Sequence, residues 1–353
     1  MLQKSLNLLI LSISILAYQL AEAQEKRNYK AYSIGFYNVE NLFDIYDSPD
    51  TFDEDFTPTG KYRWTAGLYQ KKLENLARVI SSLGREELSS PPAIVGLCEI
   101  ENLQVLEDLV KMPLLAPYDY QIVHSESPDE RGIDVALIFR ANAFKLKDWN
   151  KHALLIYEAK NTSKRDFTRD QLVVSGSIDG EDLHLIVNHW PSRSGGEKLS
   201  SYKRAQAARL NKTIIDSLQR QEPYARIITM GDFNDDPGNA SLNKILGARA
   251  KKEQVEFGGL YNPFAAIASE GAGTSAYRDQ WNLFDQILVS KSLIEKSPEK
   301  LTFFRAYIFN PPFLITSKGT YKNYPFRSFG QSGFTGGFSD HFPVYIILTK
   351  EAD

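Results

Sequence analysis

The stretch Ile227-Ile228-Thr229-Met230-Gly231-Asp232-Phe233-Asn234-Asp235-Asp236-Pro237 decides how this chain is read. A short apolar run climbs to a glycine and then delivers Asp232 and Asn234. Alternate residues of an extended segment share a face, so these two side chains are expected to face one site while Phe233 turns back into the protein. Gly231 lets the backbone approach a neighbour closely or take a positive φ, and Pro237 stops a strand from continuing. A carboxylate and a carboxamide at a strand end suit a hard metal ion, a phosphate and a water nucleophile. An ordinary turn uses the same residue types, so this stretch by itself leaves both readings open.

The pattern recurs along the chain. Polar residues follow apolar, strand-like runs at Asn38 (after Tyr32–Tyr37), Glu99 (after Ala93–Cys98) and His189 (after Leu183–Val187). Phe284 leads into Asp285 and a further strand, and Ser339 leads into Asp340 and His341 before Val344. Singly, each has a plain structural explanation: a turn for Asn or Asp, a helix cap for Glu99, packing against Trp190 for His189. In layered α/β proteins, however, sites gather at one edge of the sheet. Six such endings on one edge would assemble two histidines and several carboxylates.

Strand-like runs at Tyr32–Tyr37, Ala93–Leu97, Tyr120–His124, Val135–Arg140, Leu172–Ile178, His184–His189, Arg226–Met230, Asp285–Ser290 and Val344–Thr349 alternate with helix-like segments at Leu68–Leu83, Leu103–Val110 and Leu199–Gln219. This predicts an α/β layered domain. The run from Val135 through Ile156 to Ile178 has no good helix, which favours mixed sheets with antiparallel pairs over a doubly wound parallel sheet. Tyr46–Trp64 and Tyr307–Gly337 carry little periodicity and are expected to be long surface loops, a frequent place for function. The Tyr and Phe residues of the aromatic loop Tyr307–Phe338 suit base stacking, a lipid or sugar headgroup, or packing within the loop.

Composition narrows the class. The chain has 353 residues, 42% hydrophobic, enough for a sizeable core in one large domain. Residues 1–23 have the layout of a signal peptide: Lys4, an apolar run to Leu20, then Ala21-Glu22-Ala23 before Gln24. The expectation is an exported, periplasmic or secreted, protein whose mature single domain spans residues 24–353. The apolar run is interrupted by Asn7, Ser12 and Ser14 and is short for spanning, so stable membrane insertion is not expected. A monomer is. The single cysteine, Cys98, excludes an intramolecular disulfide and reads as a small core residue. A net charge of −3 is unlike that of a protein holding nucleic acid by charge alone. A nuclease remains compatible, because a bound divalent cation supplies positive charge where the phosphate sits.

The ordered set F-Y-N-V-E-N (36–41), L-C-E-I-E-N (97–102), R-G-I-D-V-A-L-I-F-R (131–140), V-N-H-W-P-S-R (187–193), G-D-F-N-D-D-P (231–237), F-D-Q-I-L (284–288) and S-D-H-F-P-V (339–344) resembles the endonuclease/exonuclease/phosphatase superfamily, with its DNase I-like fold. The resemblance runs from about Tyr32 to Leu348. It implies a four-layer α/β sandwich, two packed mixed β-sheets flanked by helices, and metal-dependent cleavage of phosphoester bonds. Matched residue by residue, it implies Glu99 as a metal ligand with Asn38 in support. It gives Asp232 the water or a metal, Asn234 the scissile phosphate, and His189 and His341 the roles of catalytic histidines. Asp285 becomes the partner of a histidine and Asp340 a second acidic, metal-side residue.

Mg²⁺, with Mn²⁺ as the alternative, fits an acidic oxygen set lacking closely spaced His or Cys ligands. Arg131 and Arg193 are candidates for substrate phosphate contacts, since Arg reads phosphate oxygens bidentately; a surface salt bridge explains Arg131 as well. The segment Thr57–Thr65 and the aromatic loop Tyr307–Phe338 match no core motif of the superfamily. The leading expectation is therefore a secreted nuclease or phosphodiesterase acting on nucleic acid. The alternative is a phosphatase or phosphodiesterase on inositol phosphates or sphingolipid-type substrates. A non-catalytic binding domain is disfavoured by the intact residue set.

Overall fold

The computed structural model describes residues 28–158, 161–295, 297 and 299–352. The leader expected at residues 1–23 lies outside the described residues. The sheet strands are, in chain order, β1 (Tyr29–Leu42), β2 (Ile94–Ile100), β3 (Tyr120–His124), β4 (Asp134–Arg140), β5 (Phe144–His152) and β6 (Gln171–Ile178). They continue with β7 (Glu181–His189), β8 (Ile227–Asp232), β9 (Leu260–Tyr261), β10 (Asp285–Ser290), β11 (Thr302–Ile308) and β12 (Val344–Glu351). The helices are α1 (Ala66–Ser82), α2 (Leu103–Val110), α3 (Glu197–Gln221) and α4 (Phe264–Ser269).

Two six-stranded sheets result, ordered β11-β12-β1-β2-β4-β3 and β9-β10-β8-β7-β6-β5. Both are mixed. β1 runs parallel to β2 and antiparallel to β12, and β8 runs parallel to β7 and antiparallel to β10. Each sheet buries its inner face against the other. Phe36, Val135 and Leu137 from the first meet Ile228, Met230 and Ile287 from the second in one cluster. On the outside, Leu73, Leu76, Val79, Ile80 and Leu83 around α1 cover Tyr37, Val95 and Leu97. On the other outer face, Ala207, Ala208, Ile214 and Ile215 of α3 cover Ile186, Ile227 and Leu288. Each fully buried Val, Leu, Ile, Phe or Met among these stabilises the fold by about 1.5–3 kcal/mol relative to exposure. The expected four-layer sandwich is the observed one. No helix among the described residues is long and apolar enough to cross a membrane.

Two edge strands carry no clear period and were not among the expected elements. In β5 only Phe144 is buried, so no apolar alternation marks it. β11 is broken by a register shift between Phe303 and Arg305. The loop Tyr46–Trp64 contains a single 3₁₀ turn, Glu54–Phe56, while the later loop holds another at Pro312–Leu314 and a short hairpin of Phe329–Gly330 with Gly333–Phe334.

Close approach fixes the centre. A Cβ on Gly231 would lie 2.4 Å from the Asn188 carbonyl oxygen, so the glycine serves the contact between β8 and β7. Gly96 plays the corresponding part between the sheets, where a Cβ would lie 2.6 Å from Met230 Sδ. Beneath this seam runs a fully buried polar network. Asn188 donates to Thr229 Oγ1 (2.9 Å) and to the Met230 carbonyl (2.9 Å), and Asn211 of α3 donates to Asn188 Oδ1 (2.8 Å). Satisfied in this way, buried amides pin a helix to two strand ends instead of destabilising them.

Gly231→Ala should cost about 2 kcal/mol by overpacking a backbone contact, seen as a lower urea midpoint at unchanged slope. Gly238→Ala, whose Cβ would meet nothing within 4 Å, is the control and should stay within about 0.5 kcal/mol of the parent.

Candidate active site

Strand register places the site. Asp232 stands opposite His189 in the parallel pairing and opposite Asp285 in the antiparallel one. Three adjacent strands therefore present His189, Asp232 and Asp285 in one row at the sheet's edge. His341 closes the row from the turn before β12, its Nδ1 lying 2.6 Å from Asp285 Oδ2. A carboxylate only accepts, so the proton sits on Nδ1 and Nε2 is left facing the site.

Asp232 is the meeting point. Its Oδ2 accepts a hydrogen bond from Asn38 Nδ2 at 3.1 Å and lies 3.7 Å from His189 Nε2 and 4.0 Å from His341 Nε2. The histidine separations are too long for hydrogen bonds, so both Nε2 atoms stay available to a substrate oxygen. The other sheet contributes Glu99, whose Oε1 lies 3.9 Å from His189 Nε2 and whose Oε2 accepts from the Asn41 backbone N–H at 2.9 Å.

Backbone strain gathers at the same place. Glu40 (φ 52°), Asn41 (φ 57°), Glu99 (φ 64°) and Asn234 (φ 50°) all adopt left-handed conformations, which cost non-glycine residues energy and mark functional sites. At Glu99 a register shift between β2 and β4 accompanies this conformation. The strain also corrects the strand-alternation argument for Asn234. β8 ends at Asp232, and Asp232 Oδ1 caps the next turn by accepting from the Asn234 N–H at 2.9 Å. Asn234 Nδ2 donates to the Trp190 carbonyl (3.0 Å). Phe233 does turn inward, packing edge-on against Trp190.

Charge is tuned by burial. Burial raises the Asp232 pKa to about 7, with the His341 charge opposing and Asp285 reinforcing the shift. Burial holds the His189 pKa well below its ordinary value, helped by the Arg169 and Arg131 charges, so its imidazole is neutral. At His341, burial alone would lower the pKa, but Asp285 and Asp232 outweigh it and the net shift is well upward. One neutral and one charged histidine thus face one carboxylate. His189 Nδ1 and Asp285 Oδ1 are buried without hydrogen-bond partners, a rarity that points to function.

A divalent cation fits this corner. Glu99 and Asp232 offer hard oxygen atoms, and Asp285 and Glu99 place negative charge beside buried Asp232 that a cation would relieve. Ligand atoms of Asp232, Asp285 and His341 also lie within 4.8 Å of one another. Two expected members of the metal set are otherwise engaged. Asn38 turns its NH₂ toward Asp232 and Glu99, while its Oδ1 accepts from the Glu40 N–H at 3.0 Å; it ties the carboxylates together. Asp340 accepts from Arg327 at 3.1 Å. The two expected phosphate contacts also part company. Arg131 is half exposed and lines a cavity of about 910 Å³ together with Glu99. Arg193 is spent on Asp235, Asp236, Glu197 and the Asn234 carbonyl. It fixes the loop after β8, and its guanidinium is engaged by protein groups in this arrangement.

Several residues at the site lacked a sequence signal. Arg327 joins Glu40 (3.4 Å) and Asp340 (3.1 Å) at the cavity wall. Glu40 is buried, and burial raises its pKa, aided by Asp340 and opposed by Lys72. Lys72, in the otherwise apolar face of α1, donates to the Val39 carbonyl (2.8 Å) and Ser328 Oγ (2.7 Å). Arg169 is buried behind His189, bonded to Asp129 and the Trp190 carbonyl. Only Glu40, inside the N-V-E-N motif, stood in a quoted motif; the others come from loops and a helix.

No curated protein matches the sequence as a relative. Among solved structures, an endonuclease/exonuclease/phosphatase family protein from Bacteroides thetaiotaomicron is similar at 16% identity, covering 92% of this chain and 100% of that one, with a TM-score of 0.53. A Bacteroides thetaiotaomicron mannosyl-6-phosphatase is similar at 17% identity, covering 90% and 99%, with a TM-score of 0.51. D. rerio TDP2 complexed with single strand DNA product is similar at 16% identity, covering 90% and 99%, with a TM-score of 0.50. These likenesses speak for the fold. The sequence profile of one family matches residues 33–350, nearly all of the described chain, and with it the chain belongs to the Endonuclease/Exonuclease/phosphatase family of divalent-metal-dependent phosphoester hydrolases.

Proposed function

We propose that the chain is an exported endonuclease, a Mg²⁺- or Mn²⁺-dependent phosphodiesterase acting on nucleic acid, with residues 1–23 removed. The observation that supports it most is the convergence of His189 Nε2 and His341 Nε2, 3.7 and 4.0 Å away, on one oxygen of Asp232 beside Glu99. A phosphodiester's negative charge repels attacking water. A bound divalent cation offsets that charge and lowers the pKa of water. Glu99 and Asp232 would hold it.

The chain's own groups do the rest. Asp232 orients the attacking water, whose pKa the cation would lower. His341, kept charged by Asp285, donates a hydrogen bond from Nε2 to a phosphate oxygen. Neutral His189 lies on the opposite side of Asp232 and stabilises the charge that develops on the phosphorus oxygens. Arg131 reaches the same cavity from its rim. Nucleic acid is preferred because that cavity is large and carries Lys61, Arg131 and Arg327 with the exposed ring of Tyr321, the combination that recognises phosphates and bases together.

Incubation with Mg²⁺ or Mn²⁺ should nick plasmid DNA or cut RNA, EDTA should abolish the reaction, and His341→Ala should slow it by about 10³-fold. Hydrolysis confined to an inositol phosphate or sphingomyelin would overturn the nucleic-acid assignment, and no hydrolysis of any phosphoester would overturn the enzyme. N-terminal sequencing of the exported protein should begin at Gln24. In metal-free protein, Asp285→Asn removes the strongest influence raising the His341 pKa and leaves burial, which lowers it. The His341 ring should therefore titrate at lower pH by NMR; an unmoved curve would refute Asp285 as the group that holds its proton.

A further inference from the structure

We propose that the hairpin of Ser275–Tyr277 and Gln280–Asn282 builds a second subsite, which stacks a further nucleobase of a single-stranded polynucleotide on Tyr277 and Tyr321 and meets its phosphate with Arg278. The proposal rests on the nucleic-acid function given above. Its first ground is a second cavity of about 530 Å³, lined by Tyr277, Arg278, Tyr321 and Tyr324, that contains neither Glu99 nor a histidine. It shares Thr320, Tyr321, Arg327 and Asp340 with the cavity over Glu99, so the Arg327–Asp340 pair is the wall between them. Together the two exceed the volume of a pocket for one small molecule. The occupant they fit is extended and passes over Glu99.

The second ground is chemical. Tyr277 and Tyr321 are 67% and 53% exposed, although most rings of the two long loops are spent on one another. Phe56 stacks on Phe43 at 4.3 Å, and Phe329 packs on Trp64 at 5.2 Å. A file of rings also leads outward from the catalytic turn. Phe342, next to His341, stacks on Trp281 (5.9 Å), Trp281 meets Tyr324 (6.0 Å), and Tyr324 meets Tyr321 (5.8 Å). The Arg278 guanidinium lies over the Tyr277 ring at 5.2 Å. Exposed ring faces beside a cation are how proteins hold unpaired bases and their backbone. A base inside a duplex has no free face to offer.

The third ground is rigidity. The hairpin tip, Arg278 (φ 50°) and Asp279 (φ 61°), adopts the left-handed pair that Asn and Gly fill at less cost. It is held there by Tyr324. The Asp279 N–H donates to Tyr324 Oη (2.6 Å), and that hydroxyl donates to Asp279 Oδ1 (2.8 Å). At the base, the Phe342 N–H donates to the Thr274 carbonyl (2.8 Å) and the Asp285 N–H to Thr274 Oγ1 (3.3 Å). The subsite is hung directly from the Asp285–His341 pair, so a ligand bound there is placed relative to the reacting phosphate.

The test is fluorescence anisotropy of 5′-fluorescein-labelled hexathymidylate on the full chain in EDTA, where no hydrolysis occurs. Tyr277→Ala and Tyr321→Ala should each weaken binding about tenfold, the scale of one base–aromatic stack, with unchanged melting temperatures, while Tyr277→Phe stays within about twofold because the ring remains. Equal binding by parent and alanine variants, or no binding by the parent, overturns the subsite even if the protein cuts plasmid. Ring-dependent binding by a protein that hydrolyses no phosphoester upholds the subsite and overturns the enzyme.

Discussion

The structure depends on gathering negative charge into one buried corner. Asp232, Asp285 and Glu99 come from two sheets and meet where water is scarce, an arrangement that unpaired carboxylates cannot sustain. Each is answered by a placed donor. His341 meets Asp285, the Asn41 N–H meets Glu99, and Asn38 spans Glu99 and Asp232. Burial, with Asp285 and Glu99 adding to it against the His341 charge, pushes the Asp232 pKa up to about 7. A carboxylate whose ionised form is disfavoured by burial beside two further carboxylates is one that a divalent cation would stabilise.

Holding those groups requires support on both sides of the seam. Gly231 and Gly96 let β8 approach β7 and the sheets approach one another. The Asn188–Thr229–Asn211 network then locks α3 to the strand ends that carry His189 and Asp232. The left-handed residues Glu40, Asn41, Glu99 and Asn234 are the cost of turning side chains off the sheet edge toward a common point. The two long loops close the arrangement from outside: the ring cluster of Phe43, Phe56, Trp64 and Phe329 joins them, and buried Lys72 ties α1 to Ser328.

Much of this was legible in the residues. Apolar runs marked the inner strands because both of their faces are buried, and polar residues at their ends marked the edge that carries His189, Asp232 and Asp285. The peripheral strands were not legible. β5 buries one residue and β11 is bulged, so neither carries the period by which strands are recognised. Asn234 was placed by strand alternation, but its strand stops two residues earlier and a side-chain cap turns the chain. Arg193 resembled a phosphate ligand in sequence, yet its neighbours Asp235 and Asp236 claim it. Such claims depend on residues some forty positions away, which no local motif contains.

The sequence by itself determined the layered α/β class and the family, because periodicity and motif order are written locally and survive in one chain. It also named the histidines and carboxylates that the strand ends would carry. Only the tertiary structure decided what each meets. The pairing register set Asp232 between His189 and Asp285, the surrounding burial made one histidine neutral and the other charged, and the packing of two loops set Arg327 and the aromatic file around the opening. Burial, register and charge balance are properties of the whole fold, and a residue's role at this site is set by them.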